Sequence, residues 1–139
     1  RAIRFEACRV VSPITSLAPG LFMAALLCAN EFPDYAADRL VGKRTLPVVL
    51  GRQRAVGAYL VLLLAGYGVT LAGIAGGVLP PPLGVSLLTL PLALRAIDGM
   101  RRNHSNPAAL APTNATTYQV HLFSGLLLAL GYAVARAMG

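Results

Sequence analysis

The chain is 139 residues long and carries a net charge of +7, yet only 12% of its residues are charged. A soluble domain normally carries about 25% charged residues, so this composition excludes a surface that faces water on all sides. The basic excess does not indicate nucleic acid, because the cations cluster between apolar runs without interleaved aromatic side chains. The composition is typical of a chain whose main solvent is a lipid bilayer.

Four apolar segments follow one another, at about residues 13–29, 55–78, 82–94 and 118–135. A spanning helix needs about 20 mostly apolar residues. The third segment reaches that length only when Ile97 and its neighbours join it, while Arg95 extends its charge to the membrane surface. The sequence therefore predicts an all-α bundle of about four transmembrane helices in one domain.

Three connections separate these segments. Residues 31–54 are dense in charge, residues 77–82 form a turn stiffened by three prolines, and residues 100–117 are polar and contain the turn-forming pair Asn106-Pro107. Of the 12 Lys and Arg residues, eight fall in or beside the first and third connections and four on the opposite side. Because cytoplasmic loops carry an excess of Lys and Arg, we expect an inner-membrane protein with these two connections in the cytoplasm.

The first connection also concentrates the acidic residues. Glu31, Asp34 and Asp38 lie within eight residues, directly after a predicted membrane helix. Asp34 and Asp38 are four apart, so a helix would place both carboxylates on one face, where like charges repel by roughly a few tenths of a kcal/mol. A cation bound between the two carboxylates replaces this repulsion with a net attraction. Mg²⁺ commonly takes one or two carboxylates together with waters and phosphate oxygens, so the pair predicts a magnesium site.

Asn30 is a third candidate ligand for the metal. It extends the spacing to i, i+4, i+8, which aligns all three side chains if one straight helix runs through Asp38. Pro33 leaves two alternatives open, because it cannot donate to the carbonyl of Ala29. Either the membrane helix kinks there, or a new helix starts with Pro33 at its first position and Asp34 near the positive helix end.

Cations accompany the aspartates at Arg39, Lys43 and Arg44. Gly42 allows a sharp backbone turn just before the last two, and Thr45 adds a hydroxyl donor after them. Arginine binds phosphate oxygens in a bidentate fork, so the cluster suits a diphosphate held beside a metal. The alternative interpretation is a solvated loop that follows only the cation bias of cytoplasmic connections.

Residues 30–51 resemble the second of the two aspartate-rich motifs of the UbiA superfamily of intramembrane aromatic prenyltransferases. The resemblance rests on the run from Asn30 to Asp38, followed by Gly42-Lys43-Arg44-Thr45-Leu46-Pro47-Val48 and Leu50-Gly51. The form Asn-Glu-Phe-Pro-Asp-Tyr is most similar to the branch that contains the 1,4-dihydroxy-2-naphthoate prenyltransferases of menaquinone synthesis.

The resemblance implies Mg²⁺-dependent transfer of a prenyl group from a prenyl diphosphate to an aromatic acceptor. It implies Asp34 and Asp38 as catalytic metal ligands, with Arg39, Lys43 and Arg44 on the diphosphate. It also implies a nine-helix fold of which this chain holds the last four helices. The family's first motif, Asn-Asp-x-x-Asp-x-x-x-Asp, does not occur in the sequence. We therefore expect a missing N-terminal half to supply further ligands, and the chain alone to be inactive.

Two alternatives remain open. The first is the same family with another acceptor, such as 4-hydroxybenzoate, haem, chlorophyllide or a glycerol phosphate lipid. The second is a non-catalytic membrane protein, for instance a transporter half that pairs with itself. A transporter moves its substrate without releasing diphosphate, so the products separate the second alternative from an enzyme.

Overall fold

The computed structural model describes the backbone of residues 2–138 and the side chains of residues 15–138. Within these residues the chain forms helices joined by short turns, with no β-strand, so the predicted all-α fold is confirmed. The helices are α1 (Ala2–Glu31), α2 (Tyr35–Leu40), α3 (Leu46–Leu50), α4 (Arg52–Ala75), a 3₁₀ helix (Pro81–Thr89) that leads directly into α5 (Leu90–Asn103), and α6 (Pro107–Met138).

Three of the four predicted apolar segments each lie within one long helical stretch, and the second, residues 55–78, extends three residues beyond the end of α4 at Ala75. The stretches Arg52–Ala75, Pro81–Asn103 and Pro107–Met138 are long and apolar enough to cross a membrane. At 1.5 Å per residue, the 24 residues of α4 extend about 36 Å, against a hydrocarbon core of about 30 Å. The first predicted span begins at residue 13, ahead of the described side chains.

The orientation prediction depends partly on arginines near the start of the chain. The side chains of Arg1, Arg4 and Arg9 lie outside the described residues. The cytoplasmic orientation of the first and third connections therefore stays a prediction from the sequence.

The third connection is much shorter than the sequence predicts. Residues 100–117 were expected to be a polar loop, but α5 continues to Asn103 and α6 begins at Pro107, which leaves three non-helical residues. Proline suits the first helical position, because its missing N–H has no helical partner there and its φ is already helical. Asn106 Oδ1 accepts a long hydrogen bond from Ala109 N–H at 3.4 Å. The Asn-Pro pair therefore starts a helix instead of a turn.

Helices α1 and α4 pack closely because Gly66 leaves room for the ring of Phe22. A Cβ at Gly66 would lie 2.6 Å from Phe22 Cε1. Small residues allow this kind of close approach between membrane helices. The Phe22 ring also meets Tyr67 edge-on, with 4.9 Å between ring centroids. Both rings belong to the main apolar cluster, which extends from α1 and α4 to α5 and α6.

Hydroxyl pairs join α4 to the later helices inside this apolar interior. Tyr59 OH lies 2.7 Å from Thr117 Oγ1. Tyr67 OH lies 2.8 Å from Thr89 Oγ1, which in turn lies 2.7 Å from Ser124 Oγ. Such bonds contribute about 0.6 kcal/mol each on average in membrane proteins. Because a buried hydroxyl without a partner is unfavourable, the pairs fix which face of α4 points inward.

The first and third connections lie at the same end of the bundle. Gln53, in the first turn of α4, lines one cavity together with Arg101 and His104 at the end of α5. The charged segment before α4 and the turn after α5 are therefore neighbours, as the sequence predicts.

The packing of α1 against α4 gives a first prediction. Gly66→Ala should destabilise the bundle by about 1–3 kcal/mol, because the added methyl group forces Phe22 out of its position. Gly68→Ala is the matched control, since a Cβ at Gly68 meets nothing within 4 Å. Thermal unfolding of the two variants in detergent, followed by the loss of helicity, measures the difference. Equal stability of both variants would contradict the close packing at Gly66.

Candidate metal centre

The candidate site is built on the break between α1 and α2. Helix α1 ends at Glu31, residues 32–34 form a turn, and α2 begins at Tyr35 with Asp34 as its N-cap. The expectation of a kinked but continuous helix is wrong. A new helix does start, but Pro33 lies in the turn before it and not at its first helical position. Pro33 has no backbone N–H to donate, and in this turn no helical hydrogen bond requires one.

Glu31 connects the end of α1 to the start of α3. Its Oε2 accepts a hydrogen bond from Leu46 N–H at 3.0 Å, which satisfies one of the free donors at a helix start. Gly42 and Gly51 have φ values of 71° and 81°. Few side chains tolerate such backbone angles, so these glycines supply the two turns that bracket α3.

Asp34 and Asp38 share one helical turn, as the spacing predicts. The N–H of Asp38 donates to the carbonyl of Asp34 at 2.8 Å. Their environments differ: Asp34 is exposed, whereas Asp38 is only 6% exposed. Asp38 Oδ1 accepts a hydrogen bond from Lys43 Nζ at 3.1 Å, and Asp38 Oδ2 is buried with no hydrogen-bond partner. One of the two oxygens of this buried carboxylate therefore lacks a hydrogen-bond partner.

The three predicted diphosphate-binding cations do not share one environment. Lys43 is paired with Asp38, although 59% of its side chain is exposed. Arg39 and Arg44 are exposed, and neither forms an ion pair with any residue that the structure describes. Thr45 is buried, and its hydroxyl has no hydrogen-bond partner. The segment thus presents two free guanidinium groups and one ammonium group that is already engaged.

Asn30 stands apart from the aspartates. It is an exposed residue in the last turn of α1, before the break at residues 32–34. The predicted alignment of Asn30 with Asp34 and Asp38 requires a continuous helix, which the break interrupts. Its role as a ligand stays a prediction, and the structure gives it no hydrogen bond to either aspartate.

Tyr35 and Arg52 form a contact that the sequence does not predict. The Arg52 guanidinium lies 4.4 Å from the centroid of the Tyr35 ring, a cation–π distance. The pair connects the start of α2 to the start of α4 and so closes the segment that carries the cations. Arg52 was counted only as a charge of the first connection, because a pair separated by 17 positions leaves no local sequence pattern.

The residues present fit a magnesium ion as part of a larger site. Asp38 Oδ2 is a buried oxygen without a donor, and Asp34 adds a second carboxylate on the same turn. Across residues 15–138, no group of three His, Cys, Asp or Glu side chains lies close enough to hold a metal. Two carboxylates with waters and phosphate oxygens match the usual coordination of Mg²⁺.

Comparison with known proteins identifies the family. The model of the UbiA prenyltransferase family matches residues 10–120, which include the whole candidate site. The chain belongs to this family. The match confirms the resemblance seen in residues 30–51.

One named protein is also similar in sequence to this member of the UbiA family. The chain is 26% identical over 136 residues to the 1,4-dihydroxy-2-naphthoate octaprenyltransferase of Bacillus subtilis (strain 168). That similarity covers 95% of this chain and 42% of the Bacillus protein, so the chain spans less than half of the relative's length. No solved structure matches the chain.

The contact between Tyr35 and Arg52 gives a second prediction. Tyr35→Leu should open the segment between α2 and α4, whereas Tyr35→Phe should keep it closed, because only the aromatic face binds the guanidinium. Lys43 is the sole lysine of the sequence and lies in this segment. The rate at which a lysine-specific protease cuts this single bond therefore measures how often the segment opens. Loss of about 1 kcal/mol of stabilisation from the cation–π contact predicts roughly fivefold faster cleavage of the Leu variant. Equal rates for Leu and Phe would contradict the contact.

Proposed function

We propose that the protein carrying this chain transfers a prenyl group from a prenyl diphosphate to an aromatic acceptor in a Mg²⁺-dependent reaction. The main support is the Asp38 carboxylate, which is buried beside Asp34 and keeps one oxygen unpaired in a chain of the UbiA family. We propose 1,4-dihydroxy-2-naphthoate or a close analogue as the acceptor, in a menaquinone-like pathway, because the Bacillus relative is named for that acceptor.

Asp34 and Asp38 are the proposed metal ligands. When bound, Mg²⁺ supplies positive charge that neutralises the diphosphate as it leaves. Asp38 Oδ2 is already removed from water and has no protein donor, so ligation there breaks no hydrogen bond within the described residues. Asp34 is exposed, which leaves space for the waters and phosphate oxygens that Mg²⁺ retains. The remaining ligands are proposed to come from the first aspartate motif, in an N-terminal half.

Lys43 is proposed to change partner when the substrate binds. Its ion pair with Asp38 involves an ammonium group on a side chain that is 59% exposed. Because Asp38 is buried, the lysine can leave only as another positive group takes its place. With the metal held by Asp38, the ammonium group of Lys43 would be free to bind a diphosphate oxygen. The buried carboxylate is never left without a positive partner.

Arg39, Lys43 and Arg44 are proposed to stabilise the leaving group. When the bond between the allylic carbon and the diphosphate oxygen breaks, the electron pair leaves with the diphosphate. Positive groups held near that oxygen stabilise the developing charge. A ring carbon of the electron-rich acceptor then forms a bond to the allylic cation, and the ring loses a proton to restore its aromaticity.

The location follows from the substrate and the helices. A prenyl chain is apolar, and three helical stretches of this chain are able to span a bilayer. The aspartates lie where α1 ends, in the connection that is dense in Lys and Arg. We propose that this end faces the cytoplasm at the inner membrane, where a diphosphate is soluble and its prenyl tail can lie among the helices.

The metal ligands give a third prediction. In the protein that also carries the first motif, Asp34→Asn and Asp38→Asn should each lower Mg²⁺-dependent prenyl transfer by at least about 100-fold, because the leaving diphosphate loses its counter-charge. Asp98→Asn is the matched control, since Asp98 accepts a hydrogen bond from Arg102 Nε at 2.9 Å at the end of α5. Membranes with a labelled prenyl diphosphate report prenylated product and released diphosphate together.

Two results would overturn this assignment. Retention of more than about a tenth of the activity in both Asp34→Asn and Asp38→Asn would remove their roles as ligands. Transport of a substrate across the membrane with no release of diphosphate would favour the transporter alternative.

A further inference from the structure

A cavity of about 330 Å³ opens between α4 and α5 at the same end of the bundle as the aspartates. It contains no residue of the candidate metal centre. Its lining combines polar and apolar side chains, namely Gln53, Val56, Gly57, Leu60, Arg101 and His104.

The polar part of the cavity carries a positive charge without a counter-ion. Arg101 is exposed and forms no ion pair with the residues that the structure describes, whereas the neighbouring Arg102 is paired with Asp98. His104 Nδ1 donates to the carbonyl of Arg101 at 3.0 Å. This bond places the imidazole ring at the end of α5. The cavity therefore contains one available guanidinium group.

The polar end of the cavity lies at the start of α4. Helix α4 extends about 36 Å, which exceeds the hydrocarbon core of about 30 Å. Gln53 is the second residue of α4, so in a bilayer that α4 spans we expect it at the depth of the lipid headgroups. Leu60 lies about two turns further along α4, where it is partly buried against the main apolar cluster. The cavity thus changes from polar to apolar in the direction expected of the bilayer.

Apolar positions continue the cavity toward the membrane centre. On α4, Val61 and Leu64 follow Gly57 at helical spacings of four and seven, and they are 63% and 43% exposed. On α5, Leu94 lies seven residues before Arg101 and is 54% exposed. These side chains line the path that an acyl chain would take below a headgroup bound in the cavity.

We propose that this cavity binds an anionic phospholipid, with its phosphate at Arg101 and an acyl chain along the exposed stripe of Val61 and Leu64. Basic pockets between membrane helices at the cytoplasmic surface suit such headgroups. The cavity has one unpaired cation and no lining carboxylate to hold a metal, so it suits a phosphodiester better than a metal-bound diphosphate. The site is separate from the prenyl diphosphate site proposed above.

The charge of the cavity is tested by native mass spectrometry of the purified protein that carries this chain, with two lipids. Phosphatidylglycerol and phosphatidylcholine with identical acyl chains differ only in headgroup. The wild-type chain should retain phosphatidylglycerol preferentially, and Arg101→Gln should reduce that preference about fivefold, the equivalent of about 1 kcal/mol per arginine near a membrane surface. Arg95→Gln is the control, because Arg95 is exposed on the same helix but does not line the cavity.

The shape of the cavity is tested without a change in charge. A Cβ at Gly57 meets nothing within 4 Å, so Gly57→Leu should fill the cavity without a clash and lower the retention of phosphatidylglycerol. Gly20→Leu places the same side chain on α1, outside the cavity and the stripe of Val61 and Leu64, and also in open space. It should bind lipid like the wild type, which controls for folding.

The outcomes distinguish lipid binding in the cavity from attraction to the net positive charge of the protein and from binding in the substrate site. Equal losses in Arg101→Gln and Arg95→Gln would overturn the proposal, because they would show attraction to the net charge alone. Unchanged retention in Gly57→Leu would also overturn it. Displacement of phosphatidylglycerol by geranyl diphosphate, or its loss in Asp38→Asn, would show that the lipid occupies the substrate site instead.

Discussion

The carboxylate of Asp38 is the constraint on which the arrangement of the candidate site depends. It is 6% exposed, one oxygen accepts a hydrogen bond from Lys43, and the other has no partner. A buried carboxylate is unfavourable unless a positive group balances it. Within the described residues, the one side chain that does so comes from a half-exposed lysine five positions away. The protein therefore keeps one side of this carboxylate available to a cation.

Three contacts hold the segment around Asp38, and each crosses a turn. Glu31 accepts the N–H of Leu46, Lys43 binds Asp38, and Arg52 lies over the ring of Tyr35. The first and the third contribute about 1 kcal/mol each, whereas the second involves a carboxylate that is only 6% exposed. The bundle below is different, since close packing at Gly66 and buried hydroxyl pairs fix the helices. The segment around Asp38 thus depends on a few polar contacts, whereas the bundle depends on close packing.

The sequence predicts those parts of the structure that leave local patterns. Apolar runs locate the long helices, and the spacing of Asp34 and Asp38 places them on one turn. The burial of Asp38 but not Asp34 depends on how α2 packs after the turn at Pro33, which no pattern within the motif records. The pairing of Lys43 depends on the positive φ of Gly42. The same limit explains Asn30, whose alignment required a helix that stops at Glu31.

The prolines of this chain are compatible with more than one local structure. The sequence predicts a turn at Asn106-Pro107 because both residues favour turns, yet the pair also fits the start of a helix, and α6 begins there. The sequence leaves two roles open for Pro33, and the structure shows a third, in the turn between two helices. In both places the neighbouring helices decided the outcome, because a proline ends one helix as readily as it begins the next.

Titration of the protein that carries this chain and the first aspartate motif with Mn²⁺, a paramagnetic substitute for Mg²⁺, tests the competition of cations at Asp38 most directly. Lys43→Met should bind Mn²⁺ several-fold more tightly than the wild type, because the competing ammonium group is gone, while Asp38→Asn should bind it more weakly. Lys43→Arg should resemble the wild type, since it keeps a competing charge. Weaker or unchanged Mn²⁺ binding by Lys43→Met, measured by electron paramagnetic resonance, would contradict the account.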